Sequence, residues 1–293
     1  RRMCCISRFL DDESALLAFS ARRSHQDHDP AGDAPNAKRK HWRWTINMHH
    51  VIVLLALVVP TMAEGQTADE WRRQAQRNDA AGKFAEAVAD YSKALEVDPA
   101  DGQLWHLRGC SQFKAGKIAA SIADFDKYIT LVPKAKVSHW QRGISYYYAG
   151  RWDDGIAQFE GYQTYDSNDV ENAVWRFMCM ARKDGIAKAR KEILKIGDDK
   201  RVPMRQVYDL YAGKLKPDDV LAAAQAGEPA REVLNRQLFY AHLYVGIYHE
   251  LEGNKKRALE HLQKAAAEHR IGHYMWDVAR VHRDLLRKEL EKK

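Results

Sequence analysis

Between residues 68 and 168 the small, apolar and polar positions recur with an offset of 34 residues, so that Ala75, Gly109 and Gly143 superpose. Each copy carries a glycine seven places on, at Gly82, Gly116 and Gly150, then Phe84, Ile118 and Trp152 two places later. Small side chains return at Ala87, Ser121 and Gly155, rings at Tyr91, Phe125 and Phe159, and two copies close on Pro99 and Pro133. A fixed period of this length predicts a solenoid in which each unit buries its apolar face against the next. The small residue at the eighth place of a copy, and the one at the twentieth, let neighbouring helices approach to the short end of the ~8–10 Å interaxial range. Glycine at the fifteenth place supplies the positive φ that ends a helix, and proline at the thirty-second stops the next one.

The wording W-x(3)-[AG]-x(6)-G-x-[FI]-x(2)-[AS]-x(3)-[YF], read from these residues, resembles the tetratricopeptide repeat. The resemblance implies an all-α solenoid of antiparallel helix pairs. His139 in place of the opening Trp and Ser167 in place of the closing Pro blur the boundaries of the third copy.

Beyond the third copy, helical spacing continues at Val170, Val174, Phe177, Met178 and Ala181, and again from Ile186 to Ile196. Gly213 ends a segment containing Val207 and Leu210, Lys216 to Asp219 reads as the cap of a helix from Val220 to Ala226, and a long helix follows from Ala230 to Glu252. Gly246, Gly253, Ala258, Leu262 and Ala265 keep the mutual offsets of Gly109, Gly116, Ser121, Phe125 and Tyr128, which restores the repeat. A charged helix from about Tyr274 to Glu291 closes the solenoid as a cap with a polar outer face. The organisation expected is therefore three units over 64–168, degenerate helical repeats over 169–235, and a repeat-like unit with its cap over 236–293.

The N-terminal region has a different character. Residues 1–47 show little periodicity and read as disordered or as lying upstream of the true start. Lys38-Arg39-Lys40 then leads to Met48, an unbroken apolar run from Val51 to Val59, and the small-residue end Pro60-Thr61-Met62-Ala63. Residues 48–63 read as a secretory signal peptide cleaved after Ala63, or as an uncleaved anchor if Trp44 to Ala63 spans as one segment. Either implies passage across the inner membrane, to the periplasm or to a tether facing it. Charge adds little: the net +7 falls to 38 basic against 34 acidic residues beyond position 63. No basic stripe marks a nucleic-acid partner.

The order of export signal, repeats, Tyr208-Asp-Leu-Tyr-Ala-Gly-Lys, Tyr240–Tyr244–Gly246–Tyr248 and Ala258 to Ala267 is similar to NlpI-type bacterial envelope proteins. That resemblance implies a helical-repeat adaptor that docks envelope hydrolases and a protease. It departs in one respect, since those proteins carry a lipid-anchoring Cys after the apolar run and here the place holds Glu64.

In the repeat geometry the concave positions of the second and third copies include His106, Cys110, Phe113, Trp140, Ile144, Tyr147 and Tyr148. Trp and Tyr offer large area, a polar edge and little rotamer entropy, so these seven residues are the candidate peptide-binding surface. Helices from residues 203–252 folding back across the groove are the competing occupant. The Lys and Asn with which some tetratricopeptide proteins clamp a C-terminal carboxylate are replaced at the fifth and ninth places by Arg72, His106 and Trp140, and by Gln76, Cys110 and Ile144. Cys110 one turn from His106 raises the idea of a nucleophile and base, but nothing in the sequence orients the imidazole. The repeat spacing separates Cys110 from Cys179, so two free thiols are expected. His242, His249, His261, His269, His273 and His282 read as scattered surface side chains. No cofactor, metal or catalytic activity is expected, and the function implied is a protein-binding adaptor, with a membrane-tethered structural subunit as the alternative.

Overall fold

Thr67 and Glu70 open the first helix with reciprocal bonds: the Thr67 amide donates to the Glu70 carboxylate at 2.8 Å and the Glu70 amide donates to Thr67 Oγ1 at 3.3 Å. In the computed structural model, which describes residues 65–292, three helix pairs follow. They are α1 (Ala68–Ala80) with α2 (Phe84–Val97), α3 (Gly102–Lys114) with α4 (Ile118–Leu131), and α5 (Trp140–Tyr148) with α6 (Trp152–Tyr162). Gly82, Gly116 and Gly150 turn each pair at φ of 75°, 77° and 70°, the left-handed region that side chains rarely adopt. A Cβ built on Gly109 would lie 2.7 Å from the Phe125 ring, and one on Gly143 2.6 Å from Phe159. The small eighth place is thus set by helix-to-helix contact with the ring of its own pair.

The third copy is shorter at its start. A 3-10 turn at Pro133–Ala135 and a bend occupy the place where the first helix would begin, and His139 caps α5 by accepting from the Arg142 amide at 3.2 Å. Val137 lies in that connection, before α5, and is exposed.

Seven further helices complete the solenoid among the described residues: α7 (Val170–Asp184), α8 (Ile186–Lys191), α9 (Met204–Tyr211), α10 (Pro217–Gln225), α11 (Arg231–Leu251), α12 (Lys255–Ala267) and α13 (Tyr274–Glu291). The helix expected as far as Ile196 stops at Lys191; residues 192–203 run as an irregular segment tied down by Arg201, which reaches Asp169, Glu171 and Asp199. Gly253 turns α11 into α12 at φ 84°, and a Cβ on Gly246 would meet Leu262 at 3.0 Å, so the C-terminal pair does repeat the geometry of the first three.

The apolar interior has two parts. A small cluster of Ala75, Ala87, Tyr91, Ala94, Leu95 and Leu104 holds the first pair, and one continuous core extends from Cys110 and Phe113 through α7 and α11 to α13. Arg108 on α3 bridges toward the small cluster, donating twice to Asp124 at 2.8 Å and to Ser92 at 3.1 Å. No described helix is long and apolar enough to cross a membrane, and residues 1–64, with the expected signal segment, lie outside the described residues.

Candidate functional site

The helix that caps the chain also covers the inner face of the repeats. α13 reaches α3, and its first residue, Tyr274, places its ring 5.4 Å from Phe113 and 5.4 Å edge-on from Trp140. The exposed ring of His273 stacks on the half-buried Trp140 at 6.0 Å. Phe113 in turn meets Tyr148 at 5.5 Å, Tyr148 meets Tyr147 at 5.2 Å, and Trp175 of α7 backs Tyr147 at 5.5 Å. Five of the seven candidate residues therefore form one aromatic and aliphatic seam: Phe113, Trp140, Ile144, Tyr147 and Tyr148. Phe113, Ile144 and Tyr147 are buried, whereas Trp140 and Tyr148 keep part of their surface.

Polar bonds fasten the seam at two ends. At one, Tyr148 Oη lies 2.8 Å from His282 Nδ1, and His282 Nε2 lies 2.5 Å from Glu250. Glu250 also pairs with Arg182 at 2.8 Å, and Arg182 Nε donates to Tyr147 Oη at 3.2 Å. Burial alone would raise the Glu250 carboxyl, but His282 and Arg182 outweigh it and hold it at about 2. Burial also lifts the Tyr147 and Tyr148 hydroxyls above their usual range, so both stay neutral hydrogen-bonding groups. At the other end, Arg280 donates to the Lys114 carbonyl at 2.6 Å, capping the C-terminus of α3 with positive charge. Lys114 itself sits between Asp79 at 2.5 Å and Asp277 at 3.9 Å. Its ammonium is stabilised because the two carboxylates outweigh the cost of burial.

The remaining candidates, His106 and Cys110, belong to a different arrangement. His106 lies against Tyr128 and Phe125 of α4, and its Nδ1 is 3.1 Å from His139 Nε2. The Arg142 amide donates to His139 Nδ1, so the neutral His139 carries its proton on Nε2 and gives it to His106 Nδ1. The proton of His106 is thereby fixed on Nε2, which faces Cys110 Sγ at 3.7 Å. Burial and the nearby Lys114 lower His106 to about 4, and burial, with His106 and Arg142, lowers His139 well below its usual range, so both rings are neutral near pH 7. An imidazole that already presents N–H to the sulfur has no lone pair with which to take the thiol proton. The Cys110–His106 pair is a structural hydrogen bond and not a base and nucleophile. Cys110 and Cys179 are both buried thiols that form no disulfide among the described residues.

Two expectations change. The cover of the groove comes from α13, with Trp175 of α7 behind it, and Glu250 is what the 203–252 segment hydrogen-bonds into the seam. The late histidines are not scattered surface residues, since His242, His249 and His282 are buried and four of the six form one stack described below. Tyr274, Arg280 and His282 were missed because α13 reads in sequence as a charged terminal cap. Its apolar residues at 274, 275, 278, 281 and 286 are the signal that two faces of it are covered. Among the described residues no group of three or more His, Cys, Asp or Glu is placed to hold a metal ion.

Comparison with known proteins adds the following. Residues 72–136 match a tetratricopeptide-repeat family model. Among solved structures, a tetratricopeptide repeat protein from Parabacteroides merdae aligns at 13% identity and TM-score 0.45, covering 75% of this chain and 84% of that one. A thermophilic TPR protein from Thermus thermophilus aligns at 13% identity and TM-score 0.41, covering 75% and 99%. No curated protein matches the chain.

Proposed function

Because the chain carries tetratricopeptide repeats, a scaffold on which proteins make contact with other proteins, we propose that it is a non-catalytic adaptor of the bacterial envelope. Its partner engages the rim of the aromatic seam between α5 and α13. The observation that carries this reading is the pairing of half-exposed Trp140 with exposed His273, directly above the buried Phe113–Tyr274 contact. Aromatic side chains with an apolar body over a rigid support, and a polar edge toward solvent, are the usual centres of binding energy in an interface. The repeats support it too, being alike where they pack and different along the inner face. The basic flank, apolar run and small-residue end of residues 38–63 support export, and the resemblance to envelope adaptors points to hydrolases or a protease as partners.

A photo-crosslinking side chain placed at position 140, with Glu96 on the back of α2 as the control position, tests the site in the native cell. A discrete adduct from position 140 and none from position 96 is expected. Equal labelling from both positions refutes the assignment of the rim. Sequencing the N-terminus of the native protein tests export: a start at Glu64 supports a released adaptor, and retention of Val51 to Val59 supports the tethered structural subunit.

A further inference from the structure

Outside the seam, four histidines from α11, α12 and the turn after it form a continuous stack. His249 lies 5.4 Å from His261, His261 lies 5.1 Å from His242, and His242 stacks on His269 at 5.5 Å with the rings nearly parallel at 7°. The two central rings point the same atom at each other, His242 Nδ1 and His261 Nδ1 being 2.9 Å apart. One of these nitrogens carries a proton and the other accepts it. A second proton would set two N–H groups head to head across 2.9 Å, so the contact exists only while the pair holds a single proton between these two atoms. His269 Nδ1 meets Asn235 Oδ1 at 3.2 Å, and Asn235 Nδ2 donates to the Arg270 carbonyl at 2.9 Å. The end of the stack therefore pins the turn that leads to His273 and Tyr274, the residues that α13 places on Trp140 and Phe113.

We infer that the His249–His261–His242–His269 stack is a pH-sensitive fastener, which holds α12 and the following turn on α11 at neutral pH and releases them on acidification. Burial opposes charge on all four rings, holding His261 at about 4 and His242 at about 3. Lys264 and Arg257 on α12 add to this, while Asp218 on α10, Glu252 at the end of α11, Glu260 on α12 and Glu268 just after it favour charge but do not offset it. A ring freed by local opening returns to an ordinary value near 6.5 and takes up a proton. Opening is thus pulled forward below pH 6.5, by about tenfold between pH 7.5 and 5.5 for each of His242 and His261. The His242 and His261 pair alone gives about a hundredfold.

The inference uses no partner and so stands or falls separately from the adaptor reading. Amide hydrogen exchange of the full chain at pH 7.5 and 5.5, corrected for intrinsic rates, reads the opening directly. Opening in α12 and the turn 268–273 is expected to rise about a hundredfold or more, with α1 and α2, which hold no histidine, unchanged. H261Q, at a half-exposed position, is expected to remove about one tenfold step, and H242F with H261L to remove two. Should the double variant not fold, H261Q and a side-chain NMR titration of the unaltered chain decide. Imidazole midpoints near 6.5 in the folded protein, or the same pH response in H261Q as in the unaltered chain, would overturn the inference.

Discussion

Gly143 and Gly161 lie on the two helices of the same repeat, and replacing each with alanine should move stability in opposite directions. In a helix interior alanine is favoured over glycine by about 1 kcal/mol, and propensity alone predicts a gain at both places. At Gly143 the added methyl would stand 2.6 to 3.0 Å from three atoms of the Phe159 ring. That ring is buried and backed by Trp175, so it has no solvent to swing into. Overpacking of this kind costs about 1–3 kcal/mol, and a rigid ring belongs at the upper end. The net expected for Gly143→Ala is a loss of about 2 kcal/mol. At Gly161 nothing lies within 4 Å of the added atom, so Gly161→Ala should gain up to about 1 kcal/mol, less for lying near the end of α6. Gly246→Ala belongs between them, because its nearest contacts, Leu262 Cγ at 3.0 Å and the Ala258 carbonyl at 3.3 Å, are less close than the Phe159 ring is to Gly143. With a urea m-value of about 3 kcal/mol/M, Gly143→Ala lowers the unfolding midpoint by about 0.7 M and Gly161→Ala raises it by up to about 0.3 M. Equal midpoints for the two variants, or a fall at Gly161, would refute the claim that close helix contact and not turn formation fixes glycine at the eighth place.

Further outcomes follow from the same geometry. Tyr91→Ala removes the largest side chain of the small first cluster and should cost about 3–5 kcal/mol locally; hydrogen exchange should speed up in α1 and α2 while α7 and α11 keep their protection. Arg201→Ala leaves Asp169, Glu171 and Asp199 without their shared cation and should cost about 2 kcal/mol. Burial, with Arg201 opposing it, sets Asp169 at about 6, so without the cation it takes up a proton more readily on acidification. The cost read from urea midpoints should accordingly be larger at pH 8 than at pH 5. Burial raises the Cys179 thiol well above its ordinary value, so alkylation followed by peptide mapping should leave Cys179 unmodified in the folded protein and label both Cys110 and Cys179 once it is denatured.

How much of the site could be read from sequence varies with the kind of contact involved. The concave residues of α3 and α5 were placed by repeat register alone, because contacts within a unit recur every 34 residues. What faces them was not, since Tyr274, Arg280 and His282 lie more than a hundred residues away and outside any copy. The histidine stack was misread for a related reason. His242 and His249 occupy one face of α11, and only the packing of α12 against that face brings His261 between them.

The sequence by itself determined the helix pairs, the turns at Gly82, Gly116, Gly150 and Gly253, and the close approach at Gly109 and Gly143. These follow from backbone conformation and side-chain size within a few tens of residues, where the chain has little choice of partner. It also located the aromatic third copy. Tertiary structure decided that this copy is roofed by α13, that His106 turns its proton toward Cys110, and that four histidines share one stack. The roof depends on a sum of small rotations between successive pairs that no single repeat encodes, while the His106 proton and the stack depend on which side chains a neighbouring helix or unit brings against a face the local sequence leaves open.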